Sequence, residues 1–481
     1  MKTPHSFTPH RLAAAVVLAL SGPSALAADF YVGANSDPGD SDPASLDCSN
    51  ASNTTCTLSA AIYAANQASG SDTIFLTTDV TLTGIMLRLI DSDMTLDGQG
   101  HTIDGGGFRP LFVKSGTVTI KNMVISNGLA QGGAGYYSYN GHDYGGGGGG
   151  AGLGGALFIY SGTVTVSDTT FNANKAQGGL SNPVHDGGAG GGGMFGNSAF
   201  GGGGLFGNGS SLTGGYGGTG SYNSTNSTFG AGGNGSDTNN NAATAGGFGG
   251  GGGGGGGSGY SDCYNSGSSG SGGFGGGGGS SCNYDIGGSN GGFGGGGGGA
   301  SYPSFHTGVG GYGGGGGSAG SAGDGGSGAG FGGAIFVMRG ELTLHNVNFS
   351  GNDATGGSGQ NPGQGRGGAV FICTANLTDS GTNQAPTQCG GSINETSCGV
   401  ITANDTASDG QPELFWKNAN DTYLDFSAID ATKPCPVTPT GPTSPIPTLS
   451  EWGLLMMSSL LGLFGAWRTR KVAGSRTKRR T

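Results

Sequence analysis

The chain has 481 residues, of which 116 are glycine and only 10% are charged. Glycine takes an average share of about 7% in proteins, so this excess leaves few large apolar side chains and predicts a narrow, repetitive core. Residues 28–445 carry 28 acidic and nine basic side chains, a net charge of −19, which argues against nucleic acid as a partner.

The first 27 residues predict a secretory signal peptide. Lys2 and Arg11 are basic, and an apolar run covers residues 12–20. Ala25 and Ala27 then occupy the small-residue positions of an A-x-A cleavage site. Export places the mature chain in an oxidising compartment, and the eight cysteines, an even number, suit disulfide formation there.

Residues 28–71 predict an N-terminal cap. Residues 29–47 hold five aspartates, but their spacing fits neither an EF-hand loop nor a calcium-binding nonapeptide. We therefore expect a solvated acidic loop and no metal or other cofactor, with calcium as the weaker alternative. Downstream, Leu58, Ile62 and Ala65 fall on one face of a predicted helix.

This cap carries a family resemblance. The string CTLSAAI over residues 56–62 and the later DTI over residues 72–74 resemble the C-[ST]-L-R-E-A-I … D-T-I entry segment of bacterial β-helix surface proteins. The resemblance implies that the helix covers the open end of a solenoid. The family has Arg-Glu where this chain has Ser59-Ala60, so any ion pair made there is missing. Cys48 and Cys56 are candidates for a local disulfide across the cap.

Residues 95–105, TLDGQGHTIDG, are typical of a corner in β-helix proteins, and two interpretations of their polar residues are open. Asp97, His101 and Asp104, together with Arg109, are candidates for the catalytic cluster of a glycosidase or lyase. Alternatively, the two aspartates cap turns in which the glycine after each is left-handed. The second interpretation is favoured, because the successive catalytic strings of polygalacturonases are not intact.

The centre of the sequence is a 26-residue unit that occurs twice, at residues 154–179 and 332–357, with 11 of 26 positions identical. Residues 110–133 form an earlier, degenerate copy, and residues 367–378 begin a later one. Short apolar segments alternate inward and outward, which predicts three strands and three turns per unit. One unit cannot bury its own apolar face, so the copies must stack.

This repeat resembles the right-handed parallel β-helix of pectate-lyase-like proteins and of many bacterial surface proteins. The resemblance implies an all-β fold class, a solenoid of roughly six to eight coils. Residues 72–180 and 331–433 are its two predicted parts. Residues 181–330 separate them as an insertion that holds 67 glycines and no Lys or Arg.

Two interpretations of the glycine-rich insertion are open. A segment that buries little apolar surface cannot offset its ordering entropy, so it would stay disordered. Alternatively, polyglycine segments run side by side, with the aromatic residues between them as spacers. Cys263 and Cys282 flank one glycine string and are candidate disulfide partners. The glycines are not phosphate-binding loops, since no Lys or Ser/Thr follows them in a strand-to-helix context.

The C-terminal part of the sequence contains a second predicted targeting segment, after the N-terminal signal peptide. Residues 434–445 form a proline-rich, extended linker, and residues 446–481 hold an apolar run over 454–466 followed by a basic cluster. That run predicts a single helix, short for a bilayer crossing of about 17–25 residues. Upstream, four cysteines permit three disulfide pairings: Cys373, Cys389, Cys398 and Cys435.

The string IPTLSEWG within this segment is similar to the IPTL-CTERM sorting signal of Gram-negative bacteria; its motif residues are Ile446, Pro447, Thr448, Leu449, Trp452 and Gly453. The resemblance implies recognition by an exosortase-type membrane protease. It also implies a transient stay in the inner membrane through a transmembrane segment, and then release to the cell surface. A permanent C-terminal anchor is the alternative.

These features together predict an exported structural or adhesive protein whose partner is envelope or extracellular polysaccharide. The hypothesis from a different class is an extracellular polysaccharide lyase or glycoside hydrolase of the β-helix type. We expect that the protein is not an enzyme. A lyase would need a basic Arg or Lys over the sheet, and residues 28–445 contain only nine basic side chains.

Overall fold

The structure is a computed structural model that describes residues 27–39, 47–135, 146–181, 189–199, 201–209, 229–235, 242–255, 268–281, 287–300, 306–320, 323–375, 377, 388–394, 397–399, 402–408 and 414–415. All of them belong to the first of two compact units, residues 1–434. The predicted signal sequence before Ala27, the cysteines Cys263, Cys282 and Cys435, the linker, and the sorting signal with its apolar helix lie outside these ranges.

The described ranges contain one helix, α1 (Leu58–Gln67), and 21 strands. In chain order the strands are β1 (Asp29–Val32), β2 (Ser36–Asp37), β3 (Asp72–Leu76), β4 (Val80–Leu82), β5 (Met94–Asp97), β6 (Thr102–Asp104), β7 (Leu111–Val113), β8 (Thr117–Ser126), β9 (Leu129–Gln131), β10 (Gly152–Leu153), β11 (Leu157–Ile159), β12 (Thr163–Asn172), β13 (Lys175–Gln177), β14 (Gly330–Phe331), β15 (Ile335–Val337), β16 (Glu341–Thr355), β17 (Gly365–Arg366), β18 (Val370–Ile372), β19 (Ser392–Ile393), β20 (Thr402–Ala407) and β21 (Leu414–Phe415).

These strands pair in parallel and form three sheets. The large sheet has 13 strands, with the central order β1-β3-β5-β8-β12-β16-β13-β9. A five-stranded sheet has the order β21-β18-β15-β11-β7, and a three-stranded sheet has the order β10-β14-β17. Parallel strands need long connections between them, and the repeats supply these.

The register of the strands confirms the sequence repeat. Val164 of β12 lies between Val118 of β8 and Leu342 of β16, as the alignment of the copies predicts. The later copy also continues the stack, because β18 pairs with β15 from Val370 opposite Ile335 onward. The repeat is therefore a unit of lateral strand pairing.

The predicted fold class, a right-handed parallel β-helix with the glycine-rich segment as an insertion, is wrong. The described strands form three parallel sheets that do not close on one another, and α1 is the single short helix within the described ranges. The buried apolar residues form two hydrophobic clusters, whereas the sequence analysis predicted one narrow, repetitive core.

The physical reason lies in the five-stranded sheet. Its strands β7, β11, β15 and β18 each hold three consecutive apolar residues, and all of these residues are buried. The outer two residues of each triplet join the first cluster, while the central phenylalanine faces the second. Such unbroken apolar triplets are typical of strands covered on both faces, whereas the sequence analysis predicted segments that alternate inward and outward.

The helix α1 agrees with the sequence analysis. Leu58, Ile62 and Ala65 are buried, and the side chain of Thr57 caps the first turn by accepting a hydrogen bond from the backbone N–H of Ala60. The disulfide Cys48–Cys56 is present as predicted. Cys373 pairs with Cys389, and each of the five described cysteines is disulfide-bonded.

A buried carboxylate stands where the family resemblance implied a missing ion pair. The Asp37 side chain is fully buried and accepts hydrogen bonds from the backbone N–H (2.6 Å) and the hydroxyl (2.8 Å) of Ser59 in the first turn of α1. A negative charge near a helix N-terminus is stabilising. Ser59 thus links the helix to Asp37 by hydrogen bonds, in place of any ion pair that the family makes there.

Buried asparagines join the repeats at one corner. Asn174 and Asn352, an identical pair in the two copies, are both fully buried. The Asn174 amide donates to the Asn352 side-chain oxygen (2.9 Å) and to the Ile125 carbonyl (3.0 Å), and its own oxygen accepts from Gly128 N–H (2.9 Å). This ladder satisfies backbone groups that the turn leaves without strand partners.

Replacement of Asn174 by alanine will leave these buried donors and acceptors unpaired, so we expect a loss of about 2–4 kcal/mol in the free energy of unfolding. Urea denaturation of the variant measures this loss. Asn172→Ala, at the exposed last residue of β12 two positions earlier, is the control and should change stability by less than about 0.5 kcal/mol. Equal effects of the two substitutions would contradict the ladder.

The residue directly before Asn174 in the middle copy is left-handed, as is its equivalent in each of the other two copies. Ala173 has φ 53°, and its equivalents Asn127 and Gly351 have φ 54° and 67°. Asparagine and glycine adopt this conformation readily, but alanine does so only with strain.

Ala173→Gly should therefore raise the free energy of unfolding by about 0.5–1 kcal/mol, because relief of strain exceeds the added freedom of the unfolded chain. The reciprocal change Gly351→Ala should lower it by a similar amount, since a Cβ there has room but the conformation is unfavourable. Thermal unfolding of both variants tests the pair. Changes of the same sign in both would exclude the explanation.

Candidate functional site: glycine hairpins and the outer sheet face

The structure gives the two candidate catalytic aspartates structural partners. Asp97 accepts a hydrogen bond from the backbone N–H of Gln99, and Asp104 accepts one from Gly106, two residues on in each case. Each therefore closes an Asx turn, as the second interpretation proposed. The left-handed residues are Gln99 and Gly100 in the first turn and Gly106 and Gly107 in the second, so the expectation that the glycine directly after each aspartate is left-handed is wrong.

The electrostatics of Asp97 match this structural role. Burial acts to raise the pKa of the Asp97 carboxyl, but hydrogen bonds from Gln99 and Asn122, with the Lys121 ammonium 3.2 Å away, outweigh it and lower the pKa. A catalytic proton donor needs the opposite shift. Asp97 is therefore ionised at neutral pH.

The other two candidates lie against different groups. The His101 ring nitrogen Nδ1 is 3.3 Å from Asp79 on the surface. Arg109 is buried, donates to the Gly154 carbonyl (2.9 Å) and lies over the rings of Phe112 and Phe158. Burial lowers the pKa of Arg109 to about 9, which leaves the side chain charged at neutral pH. Each of the four candidates thus contacts its own separate partner.

The glycine-rich segment forms what we call the glycine hairpins, at residues 242–255, 268–281, 287–300 and 306–320. In each, a tight turn carries an aromatic residue followed by a left-handed glycine: Phe248-Gly249, Phe274-Gly275, Phe293-Gly294 and Tyr312-Gly313. The glycine φ values of 74–79° and the hydrogen bond from the fourth residue to the first define type II turns. Glycine is required there because its φ is positive.

The aromatic residues at the turns stack on one another. Ring centroids lie 4.8 Å apart between Phe229 and Phe248, then 5.6, 4.7 and 5.4 Å along Phe274, Phe293 and Tyr312. A cation lies over each end of this column: Lys114 over Phe229 and Arg366 over Tyr312.

A second column of rings faces the first. It runs through the central phenylalanines of the five-stranded sheet, Phe112, Phe158, Phe336 and Phe371, with centroids 4.7, 5.1 and 5.4 Å apart. Rings of the two columns meet edge to face, as Phe158 and Phe248 do at 5.9 Å. This is a favoured aromatic geometry, and it fixes the hairpins to the sheet.

Beyond the turns, the glycine segments pack backbone to backbone. A Cβ added at Gly295 or Gly298 would overlap the same neighbouring hairpin, at the carbonyls of Gly276 and Gly279, whereas one at Gly296 would overlap Gly326. Positions three apart therefore face the same neighbour, which is the period of a polyproline II helix. Hydrogen bonds such as Gly278 N–H to the Gly296 carbonyl (2.9 Å) join the segments.

The described part of the insertion therefore has the packed arrangement, the second of the two interpretations. The sequence signal for the hairpins was present but not used: Phe274, Phe293 and Tyr312 are spaced 19 residues apart within similar glycine runs. That spacing marks one hairpin per repeat.

Two adjacent glycines test the backbone packing. We expect Gly315→Ala to lower the free energy of unfolding by about 1–3 kcal/mol, because its Cβ would overlap the carbonyl of Asn361. Gly316→Ala should be neutral, since the nearest heavy atom to its Cβ is 3.9 Å away. Denaturant unfolding of both variants decides this, and equal stability of the two proteins would refute close packing.

The outer face of the large sheet displays side chains in rows across the strands. The threonine row consists of residues that the strand register places side by side: Thr73, Thr95, Thr119 and Thr165, which are half-buried, and Thr343, which is buried. Residues beside them, such as Leu96 and Val166, point to the first cluster. The distance between adjacent side chains of the row follows the strand spacing of about 4.8 Å.

A second row lies two residues further along each strand. It begins with Tyr31 and Phe75, whose rings stack at 5.5 Å, and continues through Asp97, Lys121, Ser167 and His345. Tyr31 and Phe75 are half-buried. The outer face thus combines an aromatic platform with a row of hydroxyl groups.

The positive charges of the described residues are all engaged. Lys114, Lys121 and Lys175 form ion pairs of 3.6, 3.2 and 3.3 Å with Asp91, Asp97 and Asp353. The arginines contact rings or carbonyl groups: Arg88 lies over Tyr63, Arg109 binds Gly154, Arg339 binds Gln388 and Arg366 binds Tyr312. An anionic polymer would have to displace these partners.

Comparison with known proteins identifies the C-terminal sorting signal. Residues 444–471 match the IPTL-CTERM motif, which confirms this part of the sequence analysis. The motif indicates an exported protein that an exosortase-type system sorts to the cell surface. It covers the sorting signal and not the sheets. No curated protein and no solved structure matches the chain.

The described residues lack two further features. They contain no helix long and apolar enough to cross a membrane. They also contain no group of three or more His, Cys, Asp or Glu side chains that would hold a metal ion.

Proposed function

We propose that the protein is a structural or adhesive component of the cell surface whose outer sheet face binds an uncharged polysaccharide. The observation that carries the proposal is the threonine row beside the stacked rings of Tyr31 and Phe75. Hydroxyl groups both donate and accept hydrogen bonds, so they pair with the hydroxyls of a sugar chain. Aromatic rings offer apolar faces to sugar rings.

The charge of the surface supports an uncharged partner. Residues 28–445 have a net charge of −19, and the described lysines already pair with carboxylates. An acidic polysaccharide would therefore be repelled over most of the surface. The sorting signal and the proline-rich linker supply a route to the surface and a spacer from it.

Binding to polymers tests this proposal. The unit from Ala28 to Pro434 is mixed with neutral polysaccharides, such as dextran and mannan, and with acidic ones, such as alginate and polygalacturonate. We expect co-elution with at least one neutral polymer and none with the acidic ones at moderate salt.

A matched pair of variants locates the surface. Thr165→Arg, within the threonine row beside Thr119, should weaken binding about tenfold or more, because a long charged side chain blocks the row. Thr170→Arg is on the same strand, beyond the corner at Asp168, and should bind like the unaltered protein. Binding that Thr165→Arg leaves intact would exclude this face.

Polymer length, followed by light scattering, distinguishes the hypothesis of an enzyme. We expect it to stay constant. Shortened chains would contradict the binding proposal and favour a lyase or glycoside hydrolase.

A further inference from the structure

The edge of the large sheet holds a buried carboxylate that is only half satisfied. Asp72, the first residue of β3, is fully buried. Its oxygen Oδ1 accepts a hydrogen bond of 2.7 Å from the backbone nitrogen of Ala28. Its other oxygen, Oδ2, has no hydrogen-bond partner among the described residues. A buried charge without full pairing costs several kcal/mol.

No basic side chain of the described residues forms an ion pair with the Asp72 carboxylate. The three described lysines pair with other aspartates, and the four arginines contact the ring and carbonyl groups named above. A positive charge for Asp72 must come from another group.

The nitrogen already bound to Asp72 is that group. Ala28 directly follows Ala27, the last residue of the predicted signal peptide. Hydrolysis of the Ala27–Ala28 peptide bond consumes one water, leaves a carboxylate on Ala27 and turns the nitrogen of Ala28 into an α-ammonium. The single N–H of the precursor becomes three donors with a positive charge.

Ala28 is held in position by the sheet. Its carbonyl accepts a hydrogen bond of 2.9 Å from the Thr73 N–H, and β1 begins at the next residue, Asp29, which pairs with Thr73. The new terminus would therefore stay within reach of both carboxylate oxygens without rearrangement of the strands.

We propose that signal-peptide removal before Ala28 creates an ion pair between the α-ammonium of Ala28 and the buried carboxylate of Asp72. The pair completes the hydrogen bonding of Asp72 and fixes β1, the edge strand of the central order, to β3. The mature exported chain is then more stable than any form with residues before Ala28. The inference rests on export and not on polysaccharide binding, so the stability test below can fail while the binding test succeeds.

Three full-length chains that differ only at the N-terminus test the pair. One begins at Ala28, one at Ala27, and one at Ala28 with an acetylated amino group; removal of a fusion partner leaves the first two without extra residues. The Ala27 chain has its charge one residue too early, and the acetylated chain has a single uncharged N–H.

Hydrogen bonds to charged groups are worth about 1.5–3 kcal/mol, and 1.4 kcal/mol corresponds to about tenfold in an equilibrium constant. We therefore expect the unfolding constant of the Ala28 chain to be about tenfold to a hundredfold smaller than that of the other two. Equal constants for the three chains would overturn the proposal.

The variant Asp72→Asn separates the ion pair from other effects of the terminus. In this background the three chains should have the same stability, because the amide carries no charge. If the variant does not fold, the comparison of the three unaltered chains still decides the outcome. Sequencing the N-terminus of the exported protein gives an independent test, since a first residue other than Ala28 would also overturn the proposal.

Discussion

The glycine hairpins depend on close approach between peptide backbones that no other residue allows. Without a Cβ, the segments lie near enough for the N–H of one to reach the carbonyl of the next, as Gly278 does with Gly296. Each such bond replaces the hydration of one N–H and one carbonyl and contributes about 0.5–1.5 kcal/mol net, so the segment is ordered with hardly any side-chain burial. The polyproline II period lets a single segment bond to several neighbours in different directions.

Backbone bonding alone would not fix the hairpins to the rest of the protein, and the aromatic residues supply that attachment. Each turn presents one ring to the phenylalanines of the five-stranded sheet, where burial of aromatic surface is strongly favourable. Left-handed glycines after Phe274 and Phe293 make these turns possible. The sheet is consequently covered on both faces, and its apolar triplets are explained.

Sequence analysis predicted the elements in which side-chain pattern and structure correspond directly. The helix α1, the register of the repeats from Val164 outward and the disulfide Cys48–Cys56 were all confirmed. It left the glycine-rich segment open between two interpretations, because the contacts there are made by the backbone and a glycine run alone does not show which segments pair; the 19-residue spacing of Phe274, Phe293 and Tyr312 was the available signal. The wrong fold class arose from the apolar strand segments. They were predicted to alternate inward and outward, whereas the triplet that contains Phe158 is covered on both faces, by the first cluster and by the hairpins. The buried partners of Asp37 and Asp72 were equally invisible, because they depend on strand pairing between distant residues.

The outer sheet face and the hairpins differ in surface chemistry. In the proposed function the face offers hydroxyl groups and two aromatic rings to a polysaccharide, while the hairpins pack on the five-stranded sheet with few charged residues. This arrangement is compatible with the proposed structural or adhesive role at the cell surface, to which the sorting signal directs the chain.

Amide hydrogen exchange of the glycine hairpins tests the central claim most directly. Backbone amides bonded between segments, such as those of Gly278 and Gly296, should exchange as slowly as amides in the sheets, because they open only with the fold. Exchange at the rate of an unstructured peptide throughout residues 268–300 would contradict the account.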